Sequence, residues 1–351
     1  MSTRSRLSVP VLTILVLLMA ACSGGGDTAS EDDATAPAAG VQSVQGERAV
    51  QFEGAGKAKL FGTFSMPATQ SGASVPGVLL VPTSGAGGLL GGAGVNDPLG
   101  KDMAKTFSDA GVASYRYDQR GTGSSRLEPD VRLSFDDLVA DARAGLDLLA
   151  QRRETNGREL AVVGYDQGGL VALRLAATDA RVKRVILIST PGRSLVDVRA
   201  SQLQARYGPE GAAALRAEVA NLIATRSLPP LDQLRTELRP LLPAQEAGFL
   251  ADLYGLDPAV DAAKVRVPTM IVVPSDPAPY DPQRLAAAIP GAQVVNSLGS
   301  GSTLVISGPT PEDLSDPTSA NHEHGAGPPV GATTRDTAAL DRVARFTGAT
   351  P

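Results

Sequence analysis

A chain of 351 residues with 42% hydrophobic and 20% charged residues has the apolar material for one large core or two small ones, which excludes a disordered chain. Its net charge of −5 at pH 7 argues against nucleic acid as a partner, because that function needs a basic surface. The single cysteine, Cys22, leaves no internal disulfide to form.

Near the start, Arg4 and Arg6 precede the apolar run Val9–Leu18, which leads into Met19-Ala20-Ala21-Cys22. Basic residues, a short apolar run and small residues in that order make an export signal, and the run is too short to span a bilayer. The small residues ending at Cys22 resemble the bacterial lipobox. That resemblance implies removal of residues 1–21, acylation of Cys22 and attachment to the outer face of the cell membrane. Several acyl chains hold firmly where one holds weakly, so the membrane is reached through lipid and not through a basic patch. Residues 22–46 are mostly Gly, Ala, Ser, Thr, Asp and Glu, too small and polar to build a core, and read as a flexible tether.

The folded part is expected over 47–351. Glu47–Glu53 and Lys59–Met66 alternate as paired strands, and Val78–Val81 is the wholly apolar run of a parallel strand buried on both faces. A glycine-rich loop, Pro82–Gly88, follows. Asn96–Ala110 reads as a helix stopped by Gly111, and Val112–Tyr117 as a second buried strand. Ser134 with Asp137 three residues on caps a helix over Phe135–Arg152. Leu160–Val163 is a strand, Gln167–Thr178 a helix and Val182–Ser189 a strand. Strand and helix alternating through short loops require right-handed crossovers, hence a doubly wound, mostly parallel sheet: an α/β fold.

The alternation stops between Pro191 and Ala262, where Glu210–Thr225, Leu231–Leu238 and Ala244–Tyr254 read as helices of an inserted lid at about 191–262. The sheet resumes at Val267–Val273, followed by a helix at Pro282–Ala288, a strand at Ala292–Ser297 and a last helix at Arg335–Phe346. Gly299–Thr334 between the last two is a long loop rich in Gly, Pro, Ser and Thr.

The centre of this pattern is Gly164-Tyr165-Asp166-Gln167-Gly168-Gly169, where an apolar strand turns straight into a helix. Glycines two residues before and after the central residue give the spacing of the G-x-S-x-G nucleophile elbow, with aspartate in place of serine. With this elbow, Val78–Gly88, the Tyr-Asp-x-Arg-Gly-x-Gly-x-Ser stretch at Tyr117–Ser125 and Pro268–Asp276, the chain resembles the α/β-hydrolase superfamily over residues 47–346. Its secreted esterases, acyl hydrolases and serine aminopeptidase-like members are the most similar branch.

Serine-type catalysis needs a hydroxyl, a histidine, an orienting carboxylate and N–H donors for the oxyanion. On the family pattern the hydroxyl position is Asp166, and the His-Gly of the oxyanion loop is Pro82-Thr83. Ser84 and Gln167 are left as N–H donors, with Tyr165 and Thr303 as pocket residues. Asp276 stands at the acid position, with Asp281 a nearby substitute, and Thr303 at the histidine position. The chain's two histidines, His322 and His324, come about twenty residues later than the family spacing, though between the right two elements.

Two readings of Asp166 follow. In one the elbow is dead, its carboxylate held ionised by the helix dipole and the Gln167 N–H, and filling the oxyanion hole. The protein is then an anchored extracytoplasmic lipoprotein that binds a small or lipid-like ligand under the lid, or serves as an envelope scaffold. In the other Asp166 is the nucleophile of an ester or epoxide hydrolase, with His322 or His324 as base, Asp276 as orienter and the lid tyrosines Tyr207 and Tyr254 as ring-oxygen donors. Dehalogenases place a tryptophan where this chain has Gln167, and the chain has none. Asp118 and Arg120 read as a structural turn and ion pair. Gly85–Gly94 lacks the Gly-Lys-Ser/Thr of a phosphate loop. No cofactor is expected, and the His-x-His pair has no third ligand to make a metal site.

Overall fold

The computed structural model describes residues 46–69, 73–83, 94–128, 131–275, 280–299, 304–307 and 333–348. The export signal, Cys22 and the tether up to residue 45 lie outside the described residues, and Gly46, expected to end the tether, opens the first strand. The strands are β1 (Gly46–Glu53), β2 (Lys59–Met66), β3 (Val75–Val81), β4 (Ala113–Tyr117), β5 (Thr155–Tyr165), β6 (Val182–Ile188), β7 (Thr269–Val273) and β8 (Gln293–Asn296). They form one eight-stranded sheet in the order β1-β2-β4-β3-β5-β6-β7-β8. β1 and β2 run antiparallel, as do β2 and β4, and from β4 through β8 every pairing is parallel.

The helices are α1 (Pro98–Asp109), α2 (Phe135–Gln151), α3 (Gln167–Thr178), α4 (Leu195–Thr225), α5 (Ala247–Gly255), α6 (Pro258–Ala262), α7 (Pro282–Ala288) and α8 (Thr337–Phe346). Period-two alternation divides the central strands between two cores. Leu79, Val81, Leu160, Val162, Val185 and Leu187 face one cluster with α2 and α3. Val78, Leu80, Ala161, Val163, Ile186 and Ile188 face the other, with Met103 and Phe107 of α1 and Leu340 and Val343 of α8. Because both faces are covered, these strands carry apolar residues throughout, and each large one removed from water stabilises the fold by roughly 1.5–3 kcal/mol.

Local chemistry moved several expected boundaries. α1 starts after Asp97, whose carboxylate accepts the Gly100 N–H at 2.6 Å, with Pro98 in the first turn. α4 begins at Leu195, behind the Ser194 cap, and bends at Gly208 (φ 76°) where Pro209 follows. Leu231–Leu238 forms turns instead of the expected helix, since prolines at 229, 230 and 240 leave too few consecutive donors for a helical run. Two three-residue strands, β9 (Val305–Ser307) and β10 (Thr333–Arg335), pair antiparallel inside the expected loop and are too short to show periodicity.

The turn between β1 and β2 is tied to the body by a buried ion pair. Arg120 donates from Nε and Nη2 to the two carboxylate oxygens of Asp141, both at 2.6 Å, and Asp141 also accepts the Ala55 N–H at 2.7 Å. A side chain at Gly54 would collide with the Asp141 carboxylate. Asp118 does the same work one turn away, accepting from the N–H groups of Val95 and Ser124 at 2.7 Å each. Both residues are therefore structural. Since removing one partner strands a buried charge, Arg120→Met is expected to cost about 3–5 kcal/mol in denaturant unfolding, and Arg120→Met with Asp141→Leu clearly less than the sum of the two single changes. Additive single costs would show that the two side chains do not act as a pair.

Candidate functional site

β5 ends at Tyr165 and α3 starts at Gln167, so Asp166 alone makes the turn, at φ 51° and ψ −123°. A residue with a Cβ pays about 1–3 kcal/mol for such a conformation. Three glycines make room for it. A side chain on Gly164 would strike the Gly168 carbonyl, one on Gly168 the Pro82 carbonyl, and one on Gly169 the Thr190 hydroxyl. The Asp166 N–H donates to the Ile188 carbonyl at 3.0 Å, which fixes the turn to the end of β6. The elbow geometry expected from glycine spacing is present.

The Asp166 carboxylate accepts from the Thr83 hydroxyl at 3.4 Å and makes no capping bond to the first turn of α3. Burial pushes its pKa up, against the weaker downward pull of Arg199 on α4 and of Thr83. The expectation that the N–H groups of the helix end hold this carboxylate is thus corrected: its support comes from Thr83 and Arg199. The side chain leans toward the β3 loop and Arg199, where desolvation outweighs the available positive charge.

Tyr165, expected as a pocket residue, is committed to structure. Its buried hydroxyl donates to Asp97 at 2.9 Å and accepts the Thr83 N–H, so one phenol joins the elbow, the β3 loop and the start of α1. Burial raises its pKa well above the usual range. The Gln167 side chain packs beside Gln119, Phe135, Leu138, Phe249 and Leu253, and its buried Oε1 has no hydrogen-bond partner among the described residues. Tyr254 donates to the Leu241 carbonyl at 3.2 Å, and burial raises its pKa to about 12, which makes it a packing residue; Tyr207 is 45% exposed. Asp281 is exposed at the start of α7.

Ser84, Asp276, Thr303, His322 and His324 lie outside the described residues. In the β8–α8 region the described acid is Asp336. Burial works against its charge, but the N–H groups of Ala339, Leu298 and Gly299 and the Ser297 hydroxyl outweigh that and lower its pKa. It pins α8 to β8. Sequence reasoning missed Thr83 and Arg199 as neighbours of Asp166. Thr83 had a signal, standing where the family has glycine after histidine, whereas Arg199 had none because α4 brings it in from a distant stretch. Among the described residues no group of three or more His, Cys, Asp or Glu side chains could hold a metal ion.

The family model described as "Alpha/beta hydrolase family" matches residues 78–316. No curated protein matches the chain. Among solved structures, DcsB in complex with its substrate analogue is similar at 16% identity and a TM-score of 0.54, covering 86% of this chain and 98% of its own. A hypothetical protein from Pseudomonas aeruginosa is similar at 16% identity and a TM-score of 0.55, over 89% of this chain and 94% of its own. An acetyl xylan esterase from Paenibacillus sp. R4 reaches 17% identity and a TM-score of 0.50, over 75% and 82%. At these identities the likeness is one of fold.

The position of Asp166 has a consequence for stability. A carboxyl whose folded-state pKa lies above its ordinary 3.8 binds its proton more tightly when folded, so its stabilising contribution is present below that value and is lost as pH rises through the folded pKa. Asp166→Asn is therefore expected to gain on the parent protein in melting temperature as pH goes from about 4 to 7, with no gain below the ordinary carboxylate pKa. A gap that shrinks over the same range would place the carboxylate in a charge-stabilising environment instead.

Proposed function

This chain belongs to the α/β hydrolase family, and on that premise we propose that it is a lipid-anchored envelope protein whose elbow binds a ligand and performs no serine-hydrolase chemistry. The observation that carries the reading is the desolvated Asp166 carboxylate at the strained corner, bonded to the Thr83 hydroxyl with Arg199 as its positive neighbour. A serine at that corner would be a neutral hydroxyl ready to be deprotonated. A carboxyl there cannot serve as the hydroxyl of serine chemistry, and in its ionised form it opposes an oxyanion forming beside it. Thr83, standing where the family has glycine, spends its N–H on Tyr165. Loss of the nucleophile with its base removes factors of about a thousand or more in rate, and these losses overlap.

A ligand entering under α4 would meet a carboxyl that can donate or accept a proton, a hydroxyl and a guanidinium. That set suits a small or lipid-like molecule with a polar end. Export and the Cys22 anchor rest on the sequence, and replacing Cys22 by serine is expected to abolish incorporation of labelled palmitate and to release the protein from the membrane fraction. Persistent labelling of Cys22→Ser would refute the anchor.

One observation favours the nucleophile reading: the corner keeps its strained geometry around a side chain that can attack carbon. The two readings part under a direct test on the full chain. We expect ester hydrolysis to stay at background for Asp166→Ser, and for it to rise only when Thr303→His is added. With His322 and His324 both replaced, incubation with esters, epoxides and haloalkanes is expected to leave the intact mass unchanged. A mass increase localised to Asp166 would establish a covalent intermediate and overturn the binding reading.

A further inference from the structure

The β1–β2 turn, the loop after β4 and the residues leading into α2 enclose a hollow of about 580 Å³, set apart from the elbow. Besides Arg120, which is paired with Asp141, four basic side chains converge on it from three stretches of chain: Lys57 and Lys59 from the turn, Arg126 from the loop, and Arg132 ahead of the helix. All four are exposed, and none forms an ion pair among the described residues. Two carboxylates share the lining, and one of them, Asp137, is spent on the Ser134 cap of α2, which leaves Glu128 against four cations. In a chain whose net charge is −5, a local surplus of this sign is not the general character of the surface.

The backbone adds a second observation. Gly56 and Lys57 both take positive φ, 60° and 63°. That conformation favours Gly or Asn, and only the first of the two positions has glycine. A lysine at the second position adds to the hollow a charge that glycine or asparagine would not supply. The remaining lining includes Leu127 and Val131, the latter 42% exposed, so the hollow offers an apolar wall next to its cations. Its volume is that of a small-molecule pocket, and its walls are concave where a membrane-binding surface is flat or convex.

We propose that this hollow binds a small phosphorylated organic molecule, its phosphate held by Lys57, Lys59, Arg126 and Arg132 and its apolar part against Leu127 and Val131. A dianion or higher charge matches the surplus better than a single carboxylate, and the two guanidiniums can each take two phosphate oxygens. The inference is independent of the elbow reading and stands whether or not Asp166 does chemistry.

The test is calorimetric titration of the full chain with phenyl phosphate and, separately, inorganic pyrophosphate, at constant ionic strength. Binding of phenyl phosphate is expected, weakened at least tenfold by Arg126→Gln with Arg132→Gln. Lys57→Gly is the discriminating variant, because it removes a charge while relieving the turn: the melting temperature should hold or rise while binding falls several-fold. Phenyl phosphate that fails to bind the parent protein, or binds Lys57→Gly and the double variant as well as it binds the parent, overturns the proposal. So does capture by vesicles containing phosphatidylglycerol that depends on the same four residues when phenyl phosphate does not bind, since that outcome makes the hollow a membrane contact. Pyrophosphate binding equal to that of phenyl phosphate retains the phosphate site and removes the role given to Leu127 and Val131.

Discussion

Everything at the C-terminal edge of this sheet depends on how close two backbones come. The first turn of α3 passes against the end of β3 so tightly that a Cβ on Gly168 would strike the Pro82 carbonyl, and the end of β5 passes against the same turn so tightly that one on Gly164 would strike the Gly168 carbonyl. These contacts leave Asp166 a single path, at φ 51°. The strain is paid by the packing of parallel strands on both sides, not by anything Asp166 itself contributes. A corner of this kind is therefore indifferent to the side chain at its tip, and exchanging serine for aspartate alters chemistry without disturbing architecture.

Polar struts then lock the corner to its surroundings. Tyr165 donates to Asp97 and takes the Thr83 N–H, while Asp97 also caps α1. One buried hydroxyl and one carboxylate thereby set the position of the β3 loop, the helix that follows it and the strand below. Arg120 with Asp141 and Asp118 with two backbone N–H groups play the same part for the β1–β2 turn and the loop after β4. Each of these groups is satisfied and internal, which is why the Tyr-Asp-x-Arg stretch carries structure and not reaction. Asp166 is the contrast, a desolvated acid supported by one long bond from Thr83 and the field of Arg199.

How far the sequence could be read follows from the same physics. The parallel strands were legible because burial on both faces forces an apolar run, and the elbow because close backbone approach can be met only by glycine. Capping was legible at Ser134, where Asp137 completes the box, and missed at Asp97, whose partner is a backbone N–H with no side-chain signature. Leu231–Leu238 misled because its leucine spacing is helical while its flanking prolines deny it donors. The neighbours of Asp166 were out of reach for a different reason. Arg199 arrives through the folding of an insertion, and no local pattern encodes where an insertion lands.

The protonation of Asp166 is the last link. A carboxylate placed at the N-terminal end of a helix and accepting its N–H groups would be ionised and inert, a plug in the place of an oxyanion. Turned to Thr83 and away from those groups, the same side chain leaves the first-turn N–H donors of α3 uncapped by it, and its own proton is held more firmly than in water. Those two properties are complementary in a ligand site, one presenting donors to a carbonyl or an anion and the other offering a proton to a basic atom. A nucleophile attacks in its ionised form, and the same desolvation works against that form. The desolvation that disfavours the charge on Asp166 is thus the physical ground on which the proposed ligand-binding reading is preferred to the nucleophilic one.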